Sequence, residues 1–343
     1  MSRHRDRWTA LSAGVATVIF SIALAAVRLP FVVWSPGQLT DMYAAAGGIS
    51  VSGTQVFPVT GHLMTVDVAV TGQTVTLGHA VRAYYSNDQA VLPQAVNFPV
   101  GQPIAPVVIG QQSAEVQRAA EAAALGLAGQ APPKVVRVAS ILSFGPSYGR
   151  LQDDDIVNAV GSTAVTSVAE FNQAVATHTI GDTIQLTVTR GGKQMDTIDV
   201  VAQASNAGQQ APALGVRMQD SYDLGSVVVR NAPSDTSAGL MLALAVYDKV
   251  TPLALAGNLT VAGVGQVDAS GVVSGVAGVR ERLQAAQAAG AQVFLLPSSN
   301  CANASLDGLT MTVVAVTNLG QAVVALQVLA GGGNASQVPT CPT

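Results

Sequence analysis

The chain has 343 residues, of which 49% are hydrophobic, and it carries a formal net charge of −4 at pH 7. Only 10% of the residues are charged, against about 25% in typical soluble domains, and this composition is typical of membrane-linked or secreted proteins. The sequence has no basic stripe, no RNA-binding or zinc-finger motif and no GxxxxGK[ST] phosphate loop, so we expect neither nucleic acid nor ATP as a partner.

The first 34 residues predict a membrane anchor. Three arginines within the first seven residues precede a run of nineteen residues without a charge. A run of about 20 apolar residues crosses a bilayer as a helix, and basic residues stay on the cytoplasmic side. We therefore expect a cytoplasmic tail and one transmembrane helix in 1–34, with Arg28 and Trp34 at the far interface and the later domains outside the cytoplasm. The alternative is a signal peptide cleaved near Ala23–Ala25.

Residues 35–132 predict a β-rich segment followed by a helix and a linker. Apolar and polar residues alternate in 55–70 and in 73–85, which favours strands. The alanine-rich stretch 113–129 predicts a helix that begins at Ser113.

Residues 133–205 contain two predicted strands, 134–142 and 183–201, with a short predicted helix at 167–178 between them. This unit resembles a PDZ domain of the bacterial type. The matching positions of its GPA-x-G-x-L-x-x-GD-x-I-x-x-V-x-G pattern and of the later strand are Gly145-Pro146, Gly149, Leu151, Asp155-Ile156, Val160-Gly161, Gly181 and Arg190-Gly191, whereas Asp154 replaces a glycine.

The resemblance to PDZ domains implies that the unit binds an extended peptide along the edge of its sheet. The alternative is that it only packs against its neighbours. The polar stretch 203–213 that follows predicts a linker.

The last unit, 212–335, mixes predicted strands with predicted helices and favours an α/β fold. The strands are expected at 215–218, 226–231, 259–273, 292–297 and 309–317, and the helices at 236–250 and 277–291.

Ser237 lies at the start of an apolar helix and is a candidate nucleophile. A serine hydroxyl is a weak nucleophile and needs a base. None of the four histidines lies in this unit. Lys249 is on the same helix but about 18 Å further along its axis, so it does not reach Ser237.

The stretch from Thr236 to Cys301 resembles the proteolytic domain of Lon-type serine peptidases, and the closer likeness is to the membrane-anchored PDZ–Lon-like proteins of Gram-positive bacteria, actinobacteria included. The resemblance implies an α/β (α+β) multi-domain fold with a Lon-type proteolytic domain. It also implies an ATP-independent endopeptidase that acts on unfolded or C-terminal peptide, without cofactor or metal, and homo-oligomers such as rings. Ser237 matches the nucleophile of the family.

The catalytic lysine of the family falls at position 282, where this chain has Arg282. Arginine stays protonated in proteins and cannot accept the serine proton. Further departures from the family lie at 235–236, at 263–265 and at 275–278. We therefore expect impaired or lost activity.

Four alternatives remain open from the sequence. The first is an active peptidase in which Asp235 or Glu281 replaces the lysine as the base. The second is a pseudopeptidase that binds peptides or partners of the cell envelope. In the third, Ser237 only opens the helix and Arg282 only pairs with a nearby acid. The fourth is a lipid- or glycan-binding envelope protein, which only the low charge and the β-rich segment favour.

Both cysteines, Cys301 and Cys341, lie near the end of the chain. Neither a CxxC spacing nor a nearby histidine accompanies them, so a metal site is not expected. In an oxidising compartment they would pair and fix the tail 336–343 to the last unit. The alternative is two buried, reduced cysteines.

Overall fold

The computed structural model describes residues 15, 17–18, 21–22, 24–71, 74–86, 88–96, 106–194, 197–205 and 211–342.

Within these residues the labelled helices are α1 (Leu77–Tyr84), α2 (Pro106–Leu127), α3 (Val168–Ala176), α4 (Gly239–Val250), α5 (Val279–Ala288) and α6 (Leu319–Ala330). The strands are β1 (Arg28–Leu29), β2 (Phe31–Asp41), β3 (Ser50–Ser52), β4 (His62–Val70), β5 (Val75–Thr76), β6 (Ala90–Pro93), β7 (Lys134–Ile141), β8 (Ile156–Val160), β9 (Thr163–Ala164), β10 (Thr183–Arg190), β11 (Lys193–Gln194), β12 (Ile198–Val201), β13 (Gln203–Ala204), β14 (Pro212–Ala213), β15 (Val216–Tyr222), β16 (Val228–Arg230), β17 (Thr260–Gly263), β18 (Gln266–Val267), β19 (Val273–Ser274), β20 (Val293–Pro297) and β21 (Thr312–Val316).

The expected transmembrane anchor is not supported. The part of the chain that the structure describes has no helix whose length and apolar character would let it cross a membrane. This finding overturns the predicted transmembrane helix and the predicted single-pass membrane location. Arg28 and Trp34, which we expected at a membrane interface, lie in strands: Arg28 pairs with Thr76 and Trp34 pairs with Val70 and Ala90. The three N-terminal arginines and most of the uncharged run lie outside the described residues.

One six-stranded sheet, in the order β21-β20-β17-β4-β2-β6, joins strands from the two sides of the PDZ-like unit. Strands β21, β20, β17 and β4 run parallel to one another, whereas β2 pairs antiparallel with β4 and β6. Strands β2 and β4, which we grouped with a separate β-rich segment, therefore share a sheet with the last unit. All five residues of β20 are buried, as expected for a parallel strand covered on both faces.

Helices cover both faces of this sheet. On one face, α2, α4 and α6 form a common apolar core with sheet residues such as Leu63, Val261 and Leu295. On the other face, α5 packs against Val66 and Phe294. The result is a three-layer α/β arrangement in which α4, almost wholly buried, runs through the core.

The PDZ-like unit has its own seven-stranded sheet, in which β11, β10, β8, β7 and β15 lie side by side while β12 and β9 pair with β10 and β8. Its core contains Phe171 of α3 and the buried strand residues Ile184 and Leu186. Arg190 donates two hydrogen bonds of 2.7 Å to the carboxylate of Asp155, so two residues of the sequence motif hold each other. Asp154, at the motif's glycine, has a φ of 70°, which explains why the pattern favours glycine and why an aspartate is tolerated.

Two segments differ from the sequence-based prediction. Leu77–Tyr84 is a helix rather than a strand, because Thr76 accepts a hydrogen bond from the N–H of His79 and caps it. Strand β15, whose first half we assigned to the last unit, pairs with β7 in the PDZ-like sheet. The predicted helix at 113–129 is confirmed within α2.

Cys301 and Cys341 form a disulfide with an Sγ–Sγ distance of 2.02 Å. The bond ties the chain end to the layer that contains α5, where Cys341 is buried. The N–H of Ala315 in β21 also donates to the carbonyl of Pro339, so the tail is held at two points.

Glu121 of α2 is a buried carboxyl group that is 6% exposed. Burial raises its pKa from 4.5 to about 7, although the charge of Arg118 opposes the shift. The folded state therefore holds a proton that the unfolded chain releases above pH 4.5. The stabilisation from this group is complete below that pH and is lost as the pH rises through about 7.

We expect the free energy of unfolding to fall between pH 5 and pH 8, with a contribution from Glu121 on the order of 3 kcal/mol. Glu121→Gln should flatten this dependence. The check is urea denaturation at several pH values. Glu170→Gln is the matched control, because hydrogen bonds from Thr166 lower the pKa of Glu170 and keep its titration below this range. An unchanged slope in Glu121→Gln would contradict the prediction.

Candidate functional site

Ser237 lies in a 3-10 turn, Thr236–Ala238, that leads directly into α4. The residue is 5% exposed. Its hydroxyl donates a 2.6 Å hydrogen bond to Oδ2 of Asp235, and its N–H donates a 2.9 Å hydrogen bond to Oδ1. Asp235 is therefore the cap of the turn and also the partner of the candidate nucleophile.

Arg282 lies in the first turn of α5 and is 6% exposed, whereas the neighbouring Arg280 is only half-buried. Its guanidinium donates to three acceptors: the carbonyl of Val66, the carbonyl of Ala277 at 3.3 Å and Oδ2 of Asp235 at 3.5 Å. Burial lowers the pKa of Arg282, and the nearby carboxyls of Asp235 and Asp67 oppose that shift. The side chain at the position of the family's lysine is therefore a buried guanidinium, which can donate hydrogen bonds but cannot accept one.

Gly278, which precedes α5, fixes the position of this helix against the sheet. Its φ is 69°, and a Cβ added there would lie 2.7 Å from Val68 and 3.1 Å from the ring of Trp34. A side chain at 278 would therefore push α5, and with it Arg282, away from β4.

Asp67 of β4 completes the cluster. Burial raises the pKa of Asp67, and the adjacent Asp235 raises it further through its charge and a hydrogen bond. Burial alone would raise the pKa of Asp235 as well, but hydrogen bonds from Ser237 and the charge of Arg282 lower it. The pKa of Asp67 is therefore raised and that of Asp235 lowered, so Asp235 is the more acidic carboxyl of the pair.

Ser237 and Arg282 open onto the same cleft, which we call the serine cleft. Its volume is about 460 Å³, large enough for a short peptide segment. The cleft is lined by Trp34, Val68, Val70, Asp235, Thr236, Ser237, Gln266, Gly275, Val276, Ala277 and Arg282.

Backbone N–H groups at the start of a helix can form an oxyanion hole, but those at the start of α4 already have acceptors. These hydrogen bonds run from Ser237 to Asp235 Oδ1, from Ala238 to the Asp235 carbonyl, from Gly239 to the Thr236 carbonyl and from Leu240 to the Gly265 carbonyl. An oxyanion would therefore have to displace an existing hydrogen bond.

The other base that we considered is engaged elsewhere. Glu281 is 3% exposed, and its carboxylate accepts hydrogen bonds from Arg280 at 3.1 and 3.3 Å. Lys249 lies over the ring of Tyr43, 5.4 Å from its centre. Of the two carboxylates weighed as bases, Asp235 is the one that contacts Ser237.

Sequence reasoning missed Asp67 and Trp34 as parts of this site. Both lie in strands that come from the first third of the chain, and only the sheet brings them to Ser237. The usable signal was Asp67 itself, a carboxylate inside the otherwise apolar stretch of β4.

A second surface lies in the PDZ-like unit, between β15 and α3, and we call it the PDZ groove. Strand β15 is at the end of its sheet, and the N–H of Val168 in α3 donates to Asp220 of β15 at 2.7 Å. Half-buried Val216 and Met218 of β15 pack against the core and keep part of their apolar surface accessible.

Met218 lies opposite Val138 of β7. Val138 directs its own N–H and carbonyl toward Asp155 and Asp154, away from β15. In an antiparallel ladder such pairs alternate, so the N–H and carbonyl of Met218 face the outer edge of the sheet, where no strand of the described residues pairs. A peptide strand added there would find a donor and an acceptor in register.

Residues 107–200 match the family model described as a PDZ domain. The chain contains a PDZ domain. Among solved structures, the chain is similar to the PDZ domain of an SdrC-like protein from Listeria monocytogenes (23% identity, 24% of this chain and 86% of that chain, TM-score 0.23). It is also similar to the corresponding domain from Listeria innocua (20% identity, 24% and 92%, TM-score 0.23) and to a protein from Geobacillus thermodenitrificans (25% identity, 24% and 94%, TM-score 0.22).

No curated protein matches the chain. The family model ends at residue 200, before Ser237 and Arg282.

The contacts of Arg282 predict a structural cost for removing its charge. Arg282→Met should lower the free energy of unfolding by about 2–4 kcal/mol, because two carbonyls lose their donor and Asp235 loses its cation. Arg282→Lys should cost less, since the charge remains. Guanidinium chloride denaturation measures both. The control is Arg82→Met, because Arg82 is exposed. If Arg282→Met lowers the free energy of unfolding no more than Arg82→Met does, Arg282 does not have the structural role described here.

Proposed function

We propose that this chain is a peptide-binding protein whose PDZ domain captures an extended segment, and that its Lon-like serine site does not hydrolyse peptides. The observation that carries the proposal is the pairing of Ser237 with Asp235 while Arg282 occupies the lysine position.

Hydrolysis would require a base that accepts the proton of the Ser237 hydroxyl. A general base works best when its pKa lies near the working pH. Hydrogen bonds and the charge of Arg282 outweigh burial and lower the pKa of Asp235, so it is a weak acceptor for the proton of a serine hydroxyl. Arg282 has no lone pair to offer. Burial and the neighbouring charge of Asp235 raise the pKa of Asp67, and the carboxylate that contacts Ser237 is that of Asp235.

Hydrolysis would also require hydrogen-bond donors that stabilise the oxyanion of the transition state. Oxyanion stabilisation needs preorganised donors that are free to bind the developing charge. The N–H groups of 237–240 are each committed to an acceptor within the protein. Among the described residues, the serine cleft therefore offers Ser237 neither an effective base nor N–H donors that are free to bind an oxyanion.

The proposed capture of an extended peptide rests on the PDZ groove. PDZ domains bind peptides by adding a strand to a sheet edge, and β15 offers an open edge beside α3. Partly accessible Val216 and Met218 would contact alternate apolar side chains of the peptide.

A second candidate function is slow peptide hydrolysis with Asp235 as the base. The 2.6 Å hydrogen bond from Ser237 Oγ favours it, because the proton already points at a carboxylate. The lowered pKa of Asp235 argues against it. The two functions differ in whether Ser237 turns over substrate.

For hydrolysis, we expect the full chain and Ser237→Ala to leave fluorescein-labelled casein equally intact, and we expect no labelling of Ser237 by a fluorophosphonate. Arg282→Lys introduces the catalytic lysine of the family and tests whether the rest of the site can then hydrolyse casein. If the native chain cleaves casein and Ser237→Ala does not, the proposal that the site is inactive is wrong and the second candidate function is established.

For peptide binding, we expect fluorescein-labelled nonapeptides with Val, Leu or Phe at alternate positions to bind the full chain, as measured by fluorescence polarisation. Met218→Pro removes the edge N–H and should abolish binding. Met218→Ala loses the same side chain but keeps the N–H, so it should weaken binding less. Equal affinities for the two variants would exclude strand addition at this edge.

A further inference from the structure

A second cavity lies on the other side of the Asp67–Asp235 pair, and we call it the carboxyl cavity. Its volume is about 180 Å³. It lies between the end of β2 with the residues that follow it, the middle of β4, and the segment before the turn that holds Ser237. The lining residues are Thr40, Asp41, Met42, Gly47, Ile49, Thr65, Asp67, Asn231, Pro233, Ser234 and Asp235.

Thr65 is the unusual member of this lining. It is 1% exposed, and its Oγ1 has no hydrogen-bond partner in the part of the chain that the structure describes. Leaving a buried hydroxyl unpaired costs free energy, and native proteins seldom do so without a ligand or water to pair it. A threonine at this position is therefore best explained by an occupant of the cavity.

The charge of the cavity indicates what the occupant is. Three carboxyl groups, those of Asp41, Asp67 and Asp235, face it, and the described lining residues include no lysine or arginine. Asp41 accepts one hydrogen bond from the N–H of Tyr43 and one contact from His62, and each of its oxygens can accept another. Together with the free Thr65 hydroxyl, the lining offers acceptors for a positively charged donor.

We propose that the carboxyl cavity binds a primary ammonium group, with Asp41 as the counter-charge and Thr65 Oγ1 as an acceptor. The proposal goes beyond peptide capture in the PDZ groove, because it assigns a separate site on the six-stranded sheet. A primary ammonium has three N–H donors on a compact charge, which suits the carboxylate of Asp41, the hydroxyl of Thr65 and one further carboxyl of the lining in a small space.

A metal ion is the obvious competitor. Within the described residues there is no group of three or more His, Cys, Asp or Glu side chains arranged to hold one. The cavity also exceeds the space of a bare ion, whereas a short alkylammonium chain would fill it beside Met42 and Ile49.

The test is thermal unfolding of the full chain with n-propylammonium chloride as the probe. Tetramethylammonium chloride at equal ionic strength is the matched control, because it has the same charge and no N–H donor. We expect propylammonium to raise Tm in a saturable way and tetramethylammonium to leave Tm unchanged.

Variants connect the effect to the cavity. Thr65→Val and Asp41→Asn should each weaken the fitted propylammonium affinity at least tenfold, whereas Thr65→Ser, which keeps the hydroxyl, should retain it. Thr312→Val and Asp199→Asn, in strands away from the cavity, should behave as the native chain. If Thr65→Val fails to fold, Asp41→Asn and Thr65→Ser still decide the outcome.

Two acetylated, amidated tripeptides separate the possible sources of the ammonium group: Ala-Lys-Ala and Ala-norleucine-Ala. A Tm increase with the lysine peptide alone assigns the site to peptide side chains, and an increase with propylammonium alone assigns it to free amines. The proposal is overturned if neither probe raises Tm, if tetramethylammonium acts equally, if Thr65→Val leaves the affinity unchanged, or if CaCl₂ displaces the probe.

Discussion

Strand β4 pairs with β2 on one side and with β17 on the other, and the serine site depends on this pairing. The segment supplies the carbonyl of Val66 to Arg282, the carboxyl of Asp67 to Asp235 and the hydroxyl of Thr65 to the carboxyl cavity. Because side chains alternate along a strand, Thr65 and Asp67 face one layer while Val66 faces the layer of α5. One strand therefore contacts both sides of the site.

The electrostatics of the site centre on a single carboxylate. Asp235 accepts hydrogen bonds from the hydroxyl and the amide of Ser237 and from Arg282, and a hydrogen bond with Asp67 also lowers its pKa. Each donor stabilises the anion, and the sum lowers its basicity. A general base works best when its pKa lies near the working pH, and donors that stabilise a carboxylate move its pKa below that range. The same contacts that order Ser237 thus reduce its value as a nucleophile.

The sequence predicted the elements whose signals are local. The PDZ pattern, the alanine-rich helix of α2 and the helix behind Ser237 follow from spacing and turn chemistry over fewer than thirty residues. The site itself was predicted only in part: Ser237 and Arg282 come from the family motifs, and Asp235 was one of two possible bases, but the sequence did not show that it reaches the serine. Asp67, Thr65 and Trp34 did not follow, since their roles arise from pairing between strands far apart in the chain.

The N-terminal prediction was wrong for a related reason. A run of uncharged residues next to arginines predicts a membrane helix when it is considered alone, but Arg28 and Trp34 find strand partners in the described structure, and a hydropathy window does not detect such partners. The assignment of β15 to the last unit had the same cause, because only its pairing with β7 reveals which sheet it completes.

The insertion of the PDZ domain between β4 and β17 has a consequence for how the chain folds. Residues 71–259 form the loop that is closed when Thr260 pairs beside His62. Closing a long flexible loop costs entropy, and pairings between distant strands slow folding. A PDZ domain that has already folded removes much of that flexibility, because its two ends are then held at a fixed separation. The order of assembly that this topology favours is the inserted domain first and the sheet around it second.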